Sequence, residues 1–196
     1  CEYAGVLVGN EGQNLHGNWS ITYNDVQLPP VGAYGLELTN AQNSTIANNI
    51  VTGGESGIFL TAQGDLAFTT SNNTVQNNTV SESTWSNVAV TAFSYITGGV
   101  GPSISNVTIT GNILTNSNLS SSISGSGKNI SAYLDSSGTM TNLTITNNQL
   151  NVALGAGGIS GSAVYLSSIG NSVFTGNTYT LTGILDSGFT FRAVNI

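Results

Sequence analysis

The sequence has few charged residues and almost no cations. Only 2 of its 196 residues are Lys or Arg and 9 are Asp or Glu, so charged residues make up 6 % of the chain, against about 25 % in a typical soluble domain. Two cations cannot neutralise a phosphate backbone, and they offer an anionic lipid surface little attraction. We therefore expect neither nucleic acid nor an anionic membrane surface as a partner.

The chain is also poor in cysteine and has no long apolar run. Cys1 is the single cysteine, which excludes an internal disulfide framework. No apolar run approaches the ~20 residues of a membrane-spanning helix, so no membrane span is expected. Hydrophobic residues nevertheless reach 39 %, too many for a disordered polar tract. The composition predicts one folded domain over residues 1–196.

What the chain does contain is a repeat centred on asparagine. Six asparagines recur at intervals of 29 to 36 residues, taken by subtraction, each with an apolar residue three places before it. They are Asn18, Asn49, Asn78, Asn112, Asn148 and Asn177. A repeat of this length indicates stacked structural units. The apolar positions alternate in short runs, which indicates strands rather than helices.

Two further motifs complete each repeat. One reads small, apolar, variable, apolar, as in GVLV (5–8), GLEL (35–38), GIFL (57–60), NVAV (87–90), SAYL (131–134), AVYL (163–166) and GFTF (188–191). The other is a second asparagine column, formed by Asn43, Asn72, Asn106, Asn142 and Asn171. The order strand one, turn, strand two, Asn turn, strand three, loop predicts an all-β parallel β-helix of about six coils with three short strands each. Asparagine tolerates the left-handed backbone of a sharp bend, and stacked amides hydrogen-bond along the axis as a ladder.

The whole repeat, from Gly5 to Phe191, resembles the right-handed parallel β-helices of the pectin-lyase-like superfamily. The resemblance implies a right-handed coil and, for its enzymes, polysaccharide cleavage on the strand-one face. The lyases use a Lys or Arg base with carboxylates that hold Ca²⁺, whereas Lys128 and Arg192 here are not set among acids. The hydrolases use clustered carboxylates, and the outward strand-one column holds one, Glu37. No catalytic residue, metal site or cofactor is therefore predicted.

Two outward surfaces are candidate binding sites. The predicted strand-one column carries Glu37, Phe59, Tyr133 and Tyr165, whose rings can stack on sugars or pack against loops or another subunit. Strand two carries many outward threonines, which suit any exposed strand but could also bind an ordered surface such as ice or crystalline polysaccharide. Ala47, Gln76 and His16 interrupt that array.

The sequence also carries N-x-S/T sequons, and Asn118 and Asn129, both in a Ser-rich stretch, are the best candidates for glycosylation. We further expect an extracellular or cell-surface location. The first and last repeats have the same phase and no capping segment is recognisable, which favours end-to-end stacking or a fragment cut from a longer solenoid.

Two functions remain open at this point. One is a non-enzymatic extracellular structural protein, such as a filament, sheath or adhesin subunit, that self-associates end to end or face to face. Scarce charge favours it because little repulsion opposes close packing. The alternative is a β-helix that binds or cleaves a polysaccharide on the strand-one face.

Overall fold

The structure, a computed structural model, describes residues 4–9, 16–29, 32–64, 68–94, 101–116, 128–134, 138–153, 163–182 and 192–194. All regular structure in these residues is β-strand, arranged in four parallel sheets. Each strand pairs with the equivalent strand one coil away, so every sheet runs the length of the solenoid. None of these residues forms a helix that could span a membrane.

Sheets A and B form one part of each coil. Sheet A has seven strands, namely Ala4–Gly9, Tyr34–Thr39, Ser56–Gly64, Ser86–Ser94, Lys128–Leu134, Val164–Ser167 and Arg192–Val194. Sheet B has five, namely His16–Gly17, Ala41–Gln42, Thr69–Ser71, Ser103–Ser105 and Thr139–Thr141.

Sheets C and D, of six strands each, complete the coil. Sheet C contains Ser20–Thr22, Thr45–Ala47, Thr74–Gln76, Thr108–Thr110, Thr144–Thr146 and Val173–Thr175. Sheet D contains Asp25–Gln27, Ile50–Thr52, Thr79–Ser81, Ile113–Asn116, Gln149–Ala153 and Thr178–Thr182.

The core is a set of apolar columns along the axis. In sheet C the middle residue of each strand points inward, because successive strand side chains alternate between the two faces. This column is Ile21, Ile46, Val75, Ile109 and Ile145, all buried. Sheet A contributes a second column, which includes Leu36, Ile58, Val88, Ile130 and Val164. The predicted parallel β-helix is confirmed, with an apolar interior continuous from coil to coil.

Five coils contain four short strands, one more than predicted, and the coil that begins with Val164–Ser167 meets sheet B only through a single bridge between Thr141 and Gly170. The additional strands are those of sheet B, which are two or three residues long and precede the second asparagine column. Three of them bury a single side chain, as Ala41, Ile104 and Met140 show, whereas Thr69–Ser71 buries Thr70 and Ser71 and His16–Gly17 buries neither residue. Such strands are too short, and their buried residues too few and partly polar, for a sequence pattern to reveal an alternation.

The stacked asparagine ladder is confirmed along sheets C and D, with one member corrected. Each Nδ2 donates to the Oδ1 of the next asparagine at 2.9–3.0 Å, in the order Asn24, Asn49, Asn78, Asn112, Asn148 and Asn177. The assignment of Asn18 to this ladder is wrong. His16–Gly17 pairs with Ala41–Gln42, so Asn18 aligns with Asn43 in the outer column. The first coil is shorter than the others. The regular spacing of the repeat therefore pointed to Asn18 instead of Asn24.

The left-handed residue of each bend precedes the ladder asparagine instead of being that asparagine. Asn48, Asn77 and Asn147 have φ between 54° and 57°, and Gly111 and Gly176 occupy the same position at 66°. The four middle amides of the ladder are thus buried for hydrogen bonding, while a separate residue makes the turn. Asn or Gly occupies this position in five coils because both adopt positive φ at low cost, and Tyr23 occupies it before Asn24 at 59°.

A glycine near the start of two sheet A strands lets neighbouring coils and sheets approach closely. A Cβ on Gly35 would collide with the carbonyl of Gly57 and with Val51, and one on Gly57 would collide with Val80. The small first residue of the strand-one motif therefore reflects packing against sheet D.

Candidate functional site

The outer face of sheet A holds two aromatic groups. In the first, the rings of Tyr34 and Phe59 stack with centroids 4.4 Å apart, and Phe93 lies 6.5 Å from Phe59. Phe59 is only 3 % exposed. Phe59 is therefore packed within the protein, whereas Tyr34 and Phe93 are half-buried.

The second group, the aromatic cluster, contains Trp85, Tyr133, Tyr165 and Lys128. Tyr133 meets Trp85 edge-to-face at 5.6 Å and Tyr165 at 6.3 Å. The Lys128 Nζ lies 5.5 Å from the Tyr165 ring centroid, within the range of a cation–π interaction. All four residues are half-buried. Burial lowers the pKa of Lys128, because it disfavours the charged ammonium.

Beside these rings runs a buried polar strip. Glu37 is 6 % exposed and accepts a hydrogen bond from the Thr39 hydroxyl at 2.7 Å. The next residues in that column, Thr61 and Thr91, are fully buried, and their hydroxyls have no hydrogen-bond partner among the described residues. These polar groups are therefore closed off from solvent and do not line an open cleft.

The four residues predicted for sugar binding do not share one exposed surface. Glu37 and Phe59 are buried, and only Tyr133 and Tyr165 are partly accessible. Tyr133 also lies two residues further along its strand than predicted, because Ser131 pairs with Ala89 and Tyr133 pairs with Thr91. A two-residue slip keeps a strand side chain on the same face, so the pattern could not exclude it.

The described carboxylates are dispersed. Asp25 lies on sheet D, Glu37 on sheet A, and Glu55 and Glu82 lie between sheets D and A. In the described part of the chain, no group of three or more His, Cys, Asp or Glu residues could hold a metal ion. Lys128 begins the sheet A strand Lys128–Leu134.

The outer face of sheet C, here the threonine face, is more regular than the sequence suggested. Thr45, Thr74, Thr108 and Thr144 form an unbroken column in register. Ala47 and Gln76 belong to the neighbouring column with Thr110 and Thr146, and His16 lies on sheet B. These interruptions therefore fall outside the first column.

An outer asparagine ladder borders the threonine face at the bend between sheets B and C. Asn72 donates to Asn43 at 3.2 Å, Asn106 to Asn72 at 3.0 Å, and Asn142 to Asn106 at 3.0 Å. These four residues have φ between 51° and 57° and are exposed to solvent. The other border of the face carries Asn48, Asn77, Gly111 and Asn147, and the glycine interrupts it.

The coiled geometry agrees with a comparison of the sequence with protein families. Residues 1–134 match the family described as the right handed beta helix region. The chain belongs to the right-handed β-helix family. Neither a curated protein nor a solved structure matches the sequence.

Of the two predicted glycosylation candidates in this right-handed β-helix, the structure describes one. Asn129 is fully buried in sheet A, where it accepts a hydrogen bond from Asn87 Nδ2 at 2.9 Å and donates to the Asn151 carbonyl at 3.1 Å. Its amide is unavailable to a glycosyltransferase in the folded β-helix, so the prediction for Asn129 is wrong there. Asn118 lies outside the described residues, as does Cys1.

Sequence reasoning missed Trp85, which completes the aromatic cluster. Trp85 precedes the strand Ser86–Ser94 and was not part of any repeated motif. Its position before the NVAV motif was the one available signal.

Proposed function

We propose that this right-handed β-helix is an extracellular structural protein that self-associates through its outer faces. The observation that carries the proposal is the distribution of charge. The chain has a formal net charge of −7, yet the strands of sheets B and C carry no Asp, Glu, Lys or Arg. Repulsion between copies is therefore lowest where sheets B and C meet a partner.

A second copy matches such a face without adjustment. The columns of hydroxyl and amide groups repeat at the strand spacing of ~4.8 Å. Two copies of the chain have the same spacing, so the groups of one face can meet those of the other coil by coil. Each contact is modest in size. Six strands at that spacing, by about five residues across, give roughly 450 Å² per partner, below the ~800 Å² of a standard stable interface.

The expected behaviour is weak association that strengthens when many copies assemble, since linked contacts add through effective concentration. Sedimentation velocity between about 1 μM and about 1 mM tests this range of affinity, with electron microscopy of the concentrated sample. A chain that remains monomeric throughout would contradict the proposal.

The aromatic cluster supports a second candidate function, binding of a polysaccharide. Its half-exposed rings, Tyr133 and Tyr165, could stack on sugar rings. A glycan array compares the native chain with the double variant Tyr133→Ala and Tyr165→Ala. Tyr23→Asn, which removes an exposed ring elsewhere and suits the left-handed backbone at φ 59°, is the matched control. Binding lost in the double variant alone supports this function, and no binding to any glycan removes it.

A further inference from the structure

The outer asparagine ladder has unused hydrogen-bonding groups in a regular order. Asn72 and Asn106 each donate one Nδ2 hydrogen along the ladder and accept one with Oδ1. An amide has a second N–H and a second oxygen lone pair, and no described residue engages them. Each middle coil therefore presents one donor and one acceptor to the outside, at the strand spacing of ~4.8 Å.

We propose that two copies pair antiparallel across their threonine faces, with the outer asparagine ladder of one copy against that of the other. This inference rests on the proposed self-association and names its interface. The ladder is self-complementary, because every free donor has a free acceptor beside it. A second copy satisfies both sets at once.

The antiparallel orientation follows from the two borders of the threonine face. A closed pair of identical faces has a two-fold axis in the plane of contact. If that axis runs along the solenoid, each outer ladder meets the opposite border, which Gly111 interrupts. If the axis crosses the solenoid, ladder meets ladder over four coils. Asn43 then faces Asn142 of the second copy, and Asn72 faces Asn106.

Charge on the ladder should prevent the pairing. The double variant Asn43→Asp and Asn106→Asp changes amides two coils apart into carboxylates of nearly equal shape. In the antiparallel pair, like charges from the two copies would lie within about two strand spacings, partly shielded from water. We expect the dissociation constant to rise at least tenfold, while the thermal unfolding temperature changes little.

The control places the same chemistry on another sheet. Gln27→Glu with Gln149→Glu also converts two exposed amides into carboxylates, but on the outer face of sheet D. It should leave the dissociation constant within about twofold, since distant surface charges are largely screened at physiological salt. A ladder variant that does not fold is replaced by Asn72→Gly with Asn106→Gly, which removes the amides and suits positive φ.

The outcomes separate this inference from the function on which it rests. Sedimentation that detects no association of the native chain contradicts both. Association weakened equally by the ladder and control variants overturns the inference and leaves self-association standing. A monomeric chain that co-sediments with insoluble polysaccharide or ice would assign the threonine face to a non-protein surface, and would also overturn the inference.

Orientation has its own test by cross-linking. In a Cys1→Ser background, the single variants Asn43→Cys and Asn142→Cys are mixed under mild oxidation. Antiparallel pairing predicts disulfides between the two variants, and few within either one. Preferential 43–43 and 142–142 disulfides would contradict the antiparallel arrangement.

Discussion

Removing one amide from the middle of the inner ladder should destabilise the solenoid strongly. The Nδ2 of Asn112 donates to Asn148 Oδ1 at 2.9 Å and to the Val75 carbonyl at 3.0 Å, and its Oδ1 accepts from the Asn78 backbone N at 2.9 Å and Nδ2 at 3.0 Å. Asn112→Ala eliminates all of these bonds. The Asn78 N–H then remains buried without its side-chain partner, while the Val75 carbonyl keeps its place in the sheet C pairing with Ile109.

The magnitude follows from those groups. A net hydrogen bond contributes about 0.5–1.5 kcal/mol, and a buried polar group left unsatisfied costs about 1–3 kcal/mol. One buried backbone N–H left unsatisfied, together with the lost side-chain hydrogen bonds and side-chain volume, gives an expected loss of about 3–5 kcal/mol. That is a large part of the ~5–15 kcal/mol by which domains are stable.

The matched control is Asn142→Gly in the outer ladder. It removes one exposed amide at φ 57°, where glycine fits the backbone, so its cost should stay below about 1 kcal/mol. Urea unfolding followed by far-UV circular dichroism measures both variants. If Asn112→Ala costs no more than Asn142→Gly, the inner ladder does not stabilise the fold as argued.

Three further changes should shift stability in predictable directions. Thr91→Val should raise the free energy of unfolding by about 1 kcal/mol, because a buried hydroxyl without a partner among the described residues becomes a methyl of the same shape. Gly57→Ala should lower it by about 1–3 kcal/mol, since the new methyl collides with a sheet D side chain. Lys128→Met should stabilise the protein at neutral pH and remove a rise in stability at alkaline pH. The lowered pKa of Lys128 means that the unfolded state binds more protons between the folded-state pKa and 10.5.

Each of these changes has a control or a contrary result. Thr39→Val should destabilise, because the Thr39 hydroxyl donates to the buried Glu37 carboxylate; equal effects at Thr39 and Thr91 would refute the assignment of partners. Gly170→Ala meets nothing closer than 3.7 Å and should be tolerated. If the free energy of unfolding has the same pH dependence in the native chain and in Lys128→Met up to pH ~11, the buried ammonium is not the cause of the alkaline rise in stability.

Much of the architecture was readable from local pattern. Ile46, Val75 and Ile109 each lie at the centre of a three-residue strand. An asparagine follows each of these apolar residues three places later. The inward column and the ladder both follow, because a strand alternates with period two and buried amides need partners. The short sheet B was not readable, since strands of two or three residues with at most two buried side chains make no pattern.

The candidate sites were readable only in part, for a related reason. The outward face of Tyr133 was predicted, but its position along the strand was wrong by two residues. Asn129 and Glu37 were taken as accessible, although both are buried. Burial depends on the neighbours that the complete fold brings together, and a motif of a few letters contains no information about them.

The amino-acid order alone therefore determined that this chain is a parallel solenoid with an apolar interior and stacked amides, because those properties repeat locally in every coil. The tertiary structure decided which asparagine begins the inner ladder, which residues pair across sheet A, and which side chains reach solvent. Register and burial are set by contacts between coils some 25 to 36 residues apart, and side chains two places apart on a strand satisfy the same local pattern equally well.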